Sequence, residues 1–305
     1  MDGILVINKP AGYTSHDCIA ILRGVTGIRK LGHTGTLDPN ATGVLPVCAG
    51  KATKLIEYMD DTSKTYVAGV RFGIVTRTQD IWGEAFTVED AAKEGLCLSA
   101  EKIPGTDGKG AIEAALQSFL GEIQQVPPAF SAVFVDGRRA YDIARSGGQP
   151  KLKARTINIS SIKLQDYDAS KAEGHIEVTC SRGTYVRTIC HDLGQLLGCG
   201  ASLSSLVRTE ACGFKLEDAL DLEQARQMPK EEVLARLLPI GRALGQMPRL
   251  ELNSDAARRY LNGMTLKTDP SGYAQKTPIA VFHEGELIGI SEFIKDSLRP
   301  IKVFS

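Results

Sequence analysis

"GHTGTLDPNATG", residues 32–43, sets three glycines, a proline, a histidine and a single carboxylate, Asp38, within twelve positions. Asp38-Pro39 fixes a turn, because proline presets its own φ and an aspartate side chain bonds nearby backbone. Gly32, Gly35 and Gly43 permit backbone angles and close approaches that a Cβ blocks, while His33 and Thr34 add a flat ring and a hydroxyl. Two readings follow: a rigid mount that holds an acid against a bulky ligand, or an Asx-type turn without chemistry. The segment carries no second acid and no metal-ligand partner for His33, so its spacing leaves both open.

On the N-terminal side, Ile4 to Asn8 reads as an apolar strand ended by Lys9-Pro10. Thr14 with Asp17 forms a capping box for a helix that stops at Gly24 or Gly27. On the other side come a strand at "VLPVCA" and a short helix at "ATKLIEYM". "KTYVAGVRFG" places Tyr66, Ala68, Val70 and Phe72 on one strand face. Ile112, Ala115, Leu116 and Phe119 mark a helical face, and "FSAVFVDGRRAY" reads as a strand, an Asp136-Gly137 turn and a basic helix start. "HIEVTC" points Ile176, Val178 and Cys180 inward and leads into a helix from Tyr185 to Leu197, with Thr184 as its cap and Gly198 as its stop. Strands joined by tight turns with helices inserted between them predict an α+β fold rather than a regular βαβ array. Near residue 245 the texture changes to a capped helix, "NSDAARRYLNG", and a hairpin across Glu284-Gly285. We therefore expect a main domain over 1–245 and a small β-rich domain over 248–305.

The 305 residues are 43% hydrophobic, ordinary for a soluble globular chain, and no apolar run reaches the roughly 18 residues of a membrane span. With no secretory signal pattern at "MDGILVINKP", the expected location is cytoplasmic. The seven cysteines are scattered without paired C-x-x-C spacing, which argues against disulfides or structural zinc and, for most of them, for small buried hydrophobes. Neither a P-loop nor a dinucleotide fingerprint is present: "GVLPVCAGKA" has six residues between its glycines and alanine after its lysine. No metal and no cofactor are expected. Net charge is zero, 36 basic against 36 acidic residues, yet "RRAYDIARSGGQPKLKAR", residues 138–155, holds six basic residues against Asp142. Such a run is either a solvated face or a basic binding face.

A second constellation is "SRGTYVRT", residues 181–188. If Thr184 caps the helix, Arg187 sits in its first turn, where the dipole disfavours a cation by a few tenths to about 1 kcal/mol. An anion beside the guanidinium would offset this; a plain surface arginine is the other reading. Tyr66 and Tyr185 are either core and boundary aromatics or platforms for an unstacked base.

"GILVINKPAGYTSHD", "GHTGTLDPNATGVLPVCAGKATK", "KTYVAGVRFG", "QVPPAFSAVFVDGRRAYDIAR" and "RGTYVRTICHDLG" together resemble, in order and spacing, the TruB family of pseudouridine synthases, over roughly residues 1 to 240. The tail resembles that family's PUA-like RNA-binding domain more weakly. The resemblance implies a mixed, mainly antiparallel central sheet and isomerisation of uridine 55 in the T loop of tRNA. Asp38 would be the catalytic aspartate, acting at the sugar by attack or by abstraction of the 2′ proton, with Arg187 paired to it. Tyr66 would stack on the target base and help remove the C5 proton. His33 would fill the loop where the flipped uridine was, and Tyr185 and Leu206 would line the uracil pocket. Base flipping is physically required, since C1′ cannot be reached in a stacked loop. The implied partner is the tRNA T stem-loop, bound by a monomer with no small-molecule cofactor and no membrane. The alternatives are a non-catalytic RNA-binding or tRNA-folding protein, and a synthase acting on another T-loop-like RNA.

Overall fold

The computed structural model describes residues 1–59, 63–245 and 247–304. The central sheet holds ten strands among the described residues, of which seven build the frame. They are β1 (Gly3–Lys9), β2 (Thr42–Ala49), β3 (Lys64–Phe72), β4 (Gly121–Gln125), β5 (Arg155–Asp168), β6 (Glu173–Cys180) and β7 (Ala201–Ala211). Their order across the sheet is β1-β2-β7-β3-β6-β5-β4, with the two-residue strand Leu220–Asp221 outside β1. All junctions along this path are antiparallel except β2 with β7 and Leu220–Asp221 with β1, which are parallel. The α+β class and the mainly antiparallel sheet expected from the sequence are what is found.

Alternation decides what each strand buries. Along β3, Tyr66, Ala68, Val70 and Phe72 face the core as expected, beside Ile176, Val178 and Cys180 of β6. Two helices, α1 (Ser15–Thr26) and α2 (Lys109–Gln117), cover different parts of the sheet; a third, α3 (Val186–Leu197), packs with α2 over the face bearing Tyr66. The capping box at Thr14 is complete, and α1 ends at Gly27 in a left-handed conformation, φ 71°.

β2 and β7 approach so closely that a Cβ on Gly43 would lie 2.2 Å from the Arg208 carbonyl oxygen, and Gly43 has φ +105°. Only glycine fits there, and this close parallel pairing sets the end of the "GHTGTLDPNATG" loop against β7.

Two expectations are corrected. Thr184 does not cap α3: its hydroxyl donates to the Ser181 carbonyl, closing the preceding turn, and Tyr185 takes the cap position without a side-chain bond. Gln125 clamps the backbone of Tyr185, accepting from its N–H at 2.8 Å and donating to its carbonyl at 3.1 Å. The strand expected before Asp136-Gly137 shrinks to Phe134–Val135, paired in a short hairpin with Arg138–Arg139. Most of the cysteines are buried as expected, six of the seven, with Cys97 exposed.

The C-terminal part forms a five-stranded sheet that begins at Arg249–Glu251 and includes the hairpin Ile279–His283 and Glu286–Ile294. Residue 305, the last of the expected second domain, lies outside the described residues. Asn253 caps the helix Ser254–Leu261, and buried Tyr260 shares a 2.7 Å hydrogen bond with Ser291. Phe282, Ile290 and Phe304 of this part join Ile4, Val6 and Val44 of the main sheet in one apolar cluster. Burial is therefore continuous across the junction.

Candidate active site

The loop bearing Asp38 is held from several directions. Buried Lys9 donates its ammonium to the carbonyls of Pro10, Tyr13 and Pro39 at 2.9, 2.7 and 3.0 Å, and burial lowers its pKa from the usual lysine value. Leu37 N–H donates to Ser15 Oγ at 2.9 Å, and Ala41 N–H donates to the Asp38 carbonyl at 3.1 Å. Buried Arg208 of β7 reaches across to donate to Val44 O at 2.7 Å and Gly35 O at 3.3 Å. Three charged or hydroxyl side chains thus fix a turn that its own sequence only made possible.

Asp38 meets Arg187 there. Nε of Arg187 lies 2.9 Å from Asp38 Oδ2, and its Nη1 lies 3.5 Å from Asp80 Oδ2. The same guanidinium donates to Thr78 O at 2.9 Å and to Phe130 O at 3.2 Å. The arginine is only 7% exposed, whereas the Asp38 carboxylate is 44% exposed. The cation is consumed by protein contacts, and the acid keeps an open face toward the cavity. Arg187 occupies the second position of α3, where the dipole is unfavourable. Two carboxylates offset that cost.

Asp38, Asp80, Arg187, Tyr66, Tyr185 and Leu206 line one cavity of about 510 Å³. Its size suits an extruded nucleotide, and its walls mix apolar faces with a few convergent polar groups. Tyr66 is buried on β3; that burial raises its pKa, while Arg208, hydrogen-bonded to the phenol, opposes the rise. Arg155 stands 5.6 Å over the Tyr185 ring and Arg139 lines the cavity, so the basic run of residues 138–155 reaches the site at two points.

His33 is placed differently. It lies in the short strand Leu31–His33, outside the cavity lining, with its ring edge-on to His16 at 5.1 Å. Three residues with structural claims on the site went unassigned by sequence reasoning: Asp80, Arg208 and Lys9. Asp80 was visible as the acid of "TRTQDIW", 42 positions from Asp38, but nothing in spacing joins the two. An arginine directly after the apolar pair Leu206-Val207 was the readable signal for Arg208.

The family description "TruB family pseudouridylate synthase (N terminal domain)" matches residues 23–186, and "tRNA pseudouridylate synthase B C-terminal domain" matches residues 187–245. The chain belongs to the TruB family. Its curated relatives include proteins named tRNA pseudouridine synthase B from Symbiobacterium thermophilum, 44% identical over 87% of this chain and 83% of that protein, and Geobacillus kaustophilus, 39% identical over 88% and 91%. The Synechococcus elongatus protein of the same name is 39% identical over 98% of this chain and 97% of its own length. In fold, the chain resembles the crystal structure of a Cbf5-Nop10-Gar1 complex, with TM-score 0.72 and 23% identity over 99% of this chain and 84% of that one. A second solved neighbour, an H/ACA RNP bound to a substrate RNA containing 2′-deoxyuridine, gives TM-score 0.71 at 22% identity over 99% and 85%. As a TruB-family member the chain is an isomerase that acts on RNA and forms pseudouridine. Among the described residues, no helix is long and apolar enough to cross a membrane.

Proposed function

We propose that the chain converts uridine 55 of the tRNA T loop to pseudouridine, with Asp38 as the catalytic carboxylate. The observation that carries this reading is the Asp38–Arg187 pair at 2.9 Å, set in a cavity shared with Tyr66, Tyr185 and Leu206. The uridine leaves the loop stack and enters that cavity, with His33 filling the space it vacates. Asp38 opens the N1–C1′ bond, by attack at C1′ or by removal of the 2′ proton; both need a carboxyl group with a free face, as Asp38 has. The detached uracil turns between Tyr66, Tyr185 and Leu206; C5 bonds to C1′ as the Asp38–C1′ bond breaks, or, on the other route, as Asp38 returns the proton to C2′; the C5 proton then leaves and N1 gains one. Atoms and electrons balance within the substrate, so no cofactor enters the reaction.

Arg187 holds Asp38 in place through a fork whose other donors are tied to Asp80, Thr78 and Phe130. Tyr66 packs on the base and assists loss of the C5 proton. Burial keeps its phenol neutral, and a weak acceptor suffices because losing that proton restores the conjugated ring. The substrate is taken up as a T stem-loop, by a monomer, in the cytoplasm. We assign 1–245 as the catalytic domain and 248–305 as a PUA-like RNA-binding domain.

The test is release of tritium from T-loop RNA labelled at uracil C5. Wild type should release it, and Asp38→Asn should release none while still binding the RNA through His33, the basic run and the tail. Equal release from both, or none from wild type, rejects the assignment.

A further inference from the structure

"TRTQDIWGE", residues 76–84 with its flanks, contains the one tryptophan of the chain, Trp82. Tryptophan buries large area when it can, yet Trp82 is 49% exposed and its neighbour Ile81 is 39% exposed. Mobility does not explain this exposure, because the loop is fastened on every side. Its base is closed by Arg77 N–H to Glu84 O at 3.1 Å and Phe86 N–H to Val75 O at 2.8 Å. Its tip is tied to β7 by Ile81 N–H to Leu203 O at 2.9 Å and Leu203 N–H to Gln79 O at 3.0 Å. Asp80 Oδ1 accepts from Thr78 Oγ1 at 2.7 Å and from the Trp82 N–H at 3.2 Å. Its Oδ2 faces Arg187.

One carboxylate therefore couples the arginine that aims Asp38 to the backbone of the exposed indole. Trp82 follows Asp80 by two residues, about 7 Å of extended chain, and lines the same cavity as Asp38, together with Arg139 and Tyr141. A rigidly mounted aromatic at the mouth of a site for a flipped nucleotide loses little entropy on binding. It offers a π-face where the unpaired neighbours of that nucleotide must lie, and any base can stack on such a face.

Resting on the reading of an RNA loop as substrate, we propose that Trp82 is a substrate-binding residue that stacks on an unpaired base adjacent to the extruded uridine. It thereby selects loops in which that neighbour is unpaired and free to turn its face to the cleft.

Because Trp82 is the sole tryptophan, emission excited at the red edge of the indole band, where the eight tyrosines absorb little, reports on it alone. Titration with a T stem-loop RNA should quench and shift that emission along the binding curve given by the anisotropy of end-labelled RNA. In tritium release, Trp82→Ala should raise KM by about 5- to 150-fold, the range of base–aromatic stacking, with a much smaller change in kcat; Trp82→Phe should recover most of the loss. Replacing the nucleotides flanking the target uridine by abasic ones should weaken wild type and leave Trp82→Ala nearly unaffected. Unchanged emission at saturating RNA, or a Trp82→Ala KM within two-fold of wild type, overturns the proposal. Absent tritium release from wild type would strike the T-loop reading instead, so the two failures are distinct.

Discussion

Replacing Arg187 by lysine keeps the charge and removes the fork. The guanidinium serves Asp38, Asp80, Thr78 O and Phe130 O from three different nitrogens at 2.9, 3.5, 2.9 and 3.2 Å. The protons of an ammonium diverge from one atom, so lysine can satisfy one side of this set but not both. At 7% exposure the guanidinium is largely shielded from solvent that could replace the lost bonds. The pair with Asp38 itself adds about 1 kcal/mol or less, because the carboxylate is 44% exposed and screened by solvent. The larger loss comes from buried acceptors: each hydrogen bond to a charged donor contributes about 1.5–3 kcal/mol.

With one or two of these lost, Arg187→Lys should destabilise the protein by about 2–4 kcal/mol. At about 2–4 °C per kcal/mol, Tm falls by about 5–15 °C. Catalysis should suffer more, since displacement of a reacting group by about 1 Å costs about 10²-fold. Calorimetry gives the first quantity, and single-turnover tritium release well below the lowered Tm gives the second. A variant with reduced Tm but a turnover within three-fold of wild type would refute the reasoning, for Arg187 would then be a structural tie that aims nothing.

Two further outcomes rest on other parts of the molecule. His191 of α3 is buried with Nδ1 unbonded among the described residues, and burial holds its pKa below the usual 6.5. As pH falls below about 6.5, the unfolded chain takes up a proton that the folded one refuses, so stability declines until the folded value is passed. His191→Leu should therefore lose less stability than wild type between pH 7.5 and 5, compared by urea midpoints; equal losses would count against the buried neutral imidazole. Gly43→Ala forces a Cβ toward the Arg208 backbone at positive φ and should cost at least about 3 kcal/mol in chemical denaturation. A near-neutral effect would mean that β2 and β7 can part locally without loss.

Much of the chain was legible before folding. Period-two alternation gave the core faces of β3 and β6, where Tyr66 and Cys180 are buried as expected. The box of Thr14 with Asp17 and the Glu284-Gly285 turn, both residues at positive φ, were decided by neighbouring residues alone. The cap of α3 misled because Thr184 had two local partners available. It bonded back to Ser181, and a glutamine 60 positions away holds the backbone of Tyr185, the residue left at the cap position. Even the resemblance to a family, which placed Asp38, Tyr66, Tyr185, Arg187 and Leu206 in one site, gave no reason for their assembly.

The sequence by itself determined what depends on short-range sterics and hydrophobic period: strand faces, helix ends, and a turn able to present Asp38. Only the tertiary structure decided what that acid faces. Asp38 looked solitary because its segment has no second acid, yet Asp80 stands on the far side of the same guanidinium. The pairing of β7 with both β2 and β3 and the packing of α3 on the sheet bring these residues together from three separate segments. The physical reason is range. Backbone preferences act over a few residues, whereas charges meet wherever burial of apolar faces happens to carry them, and that burial is settled by the whole chain at once.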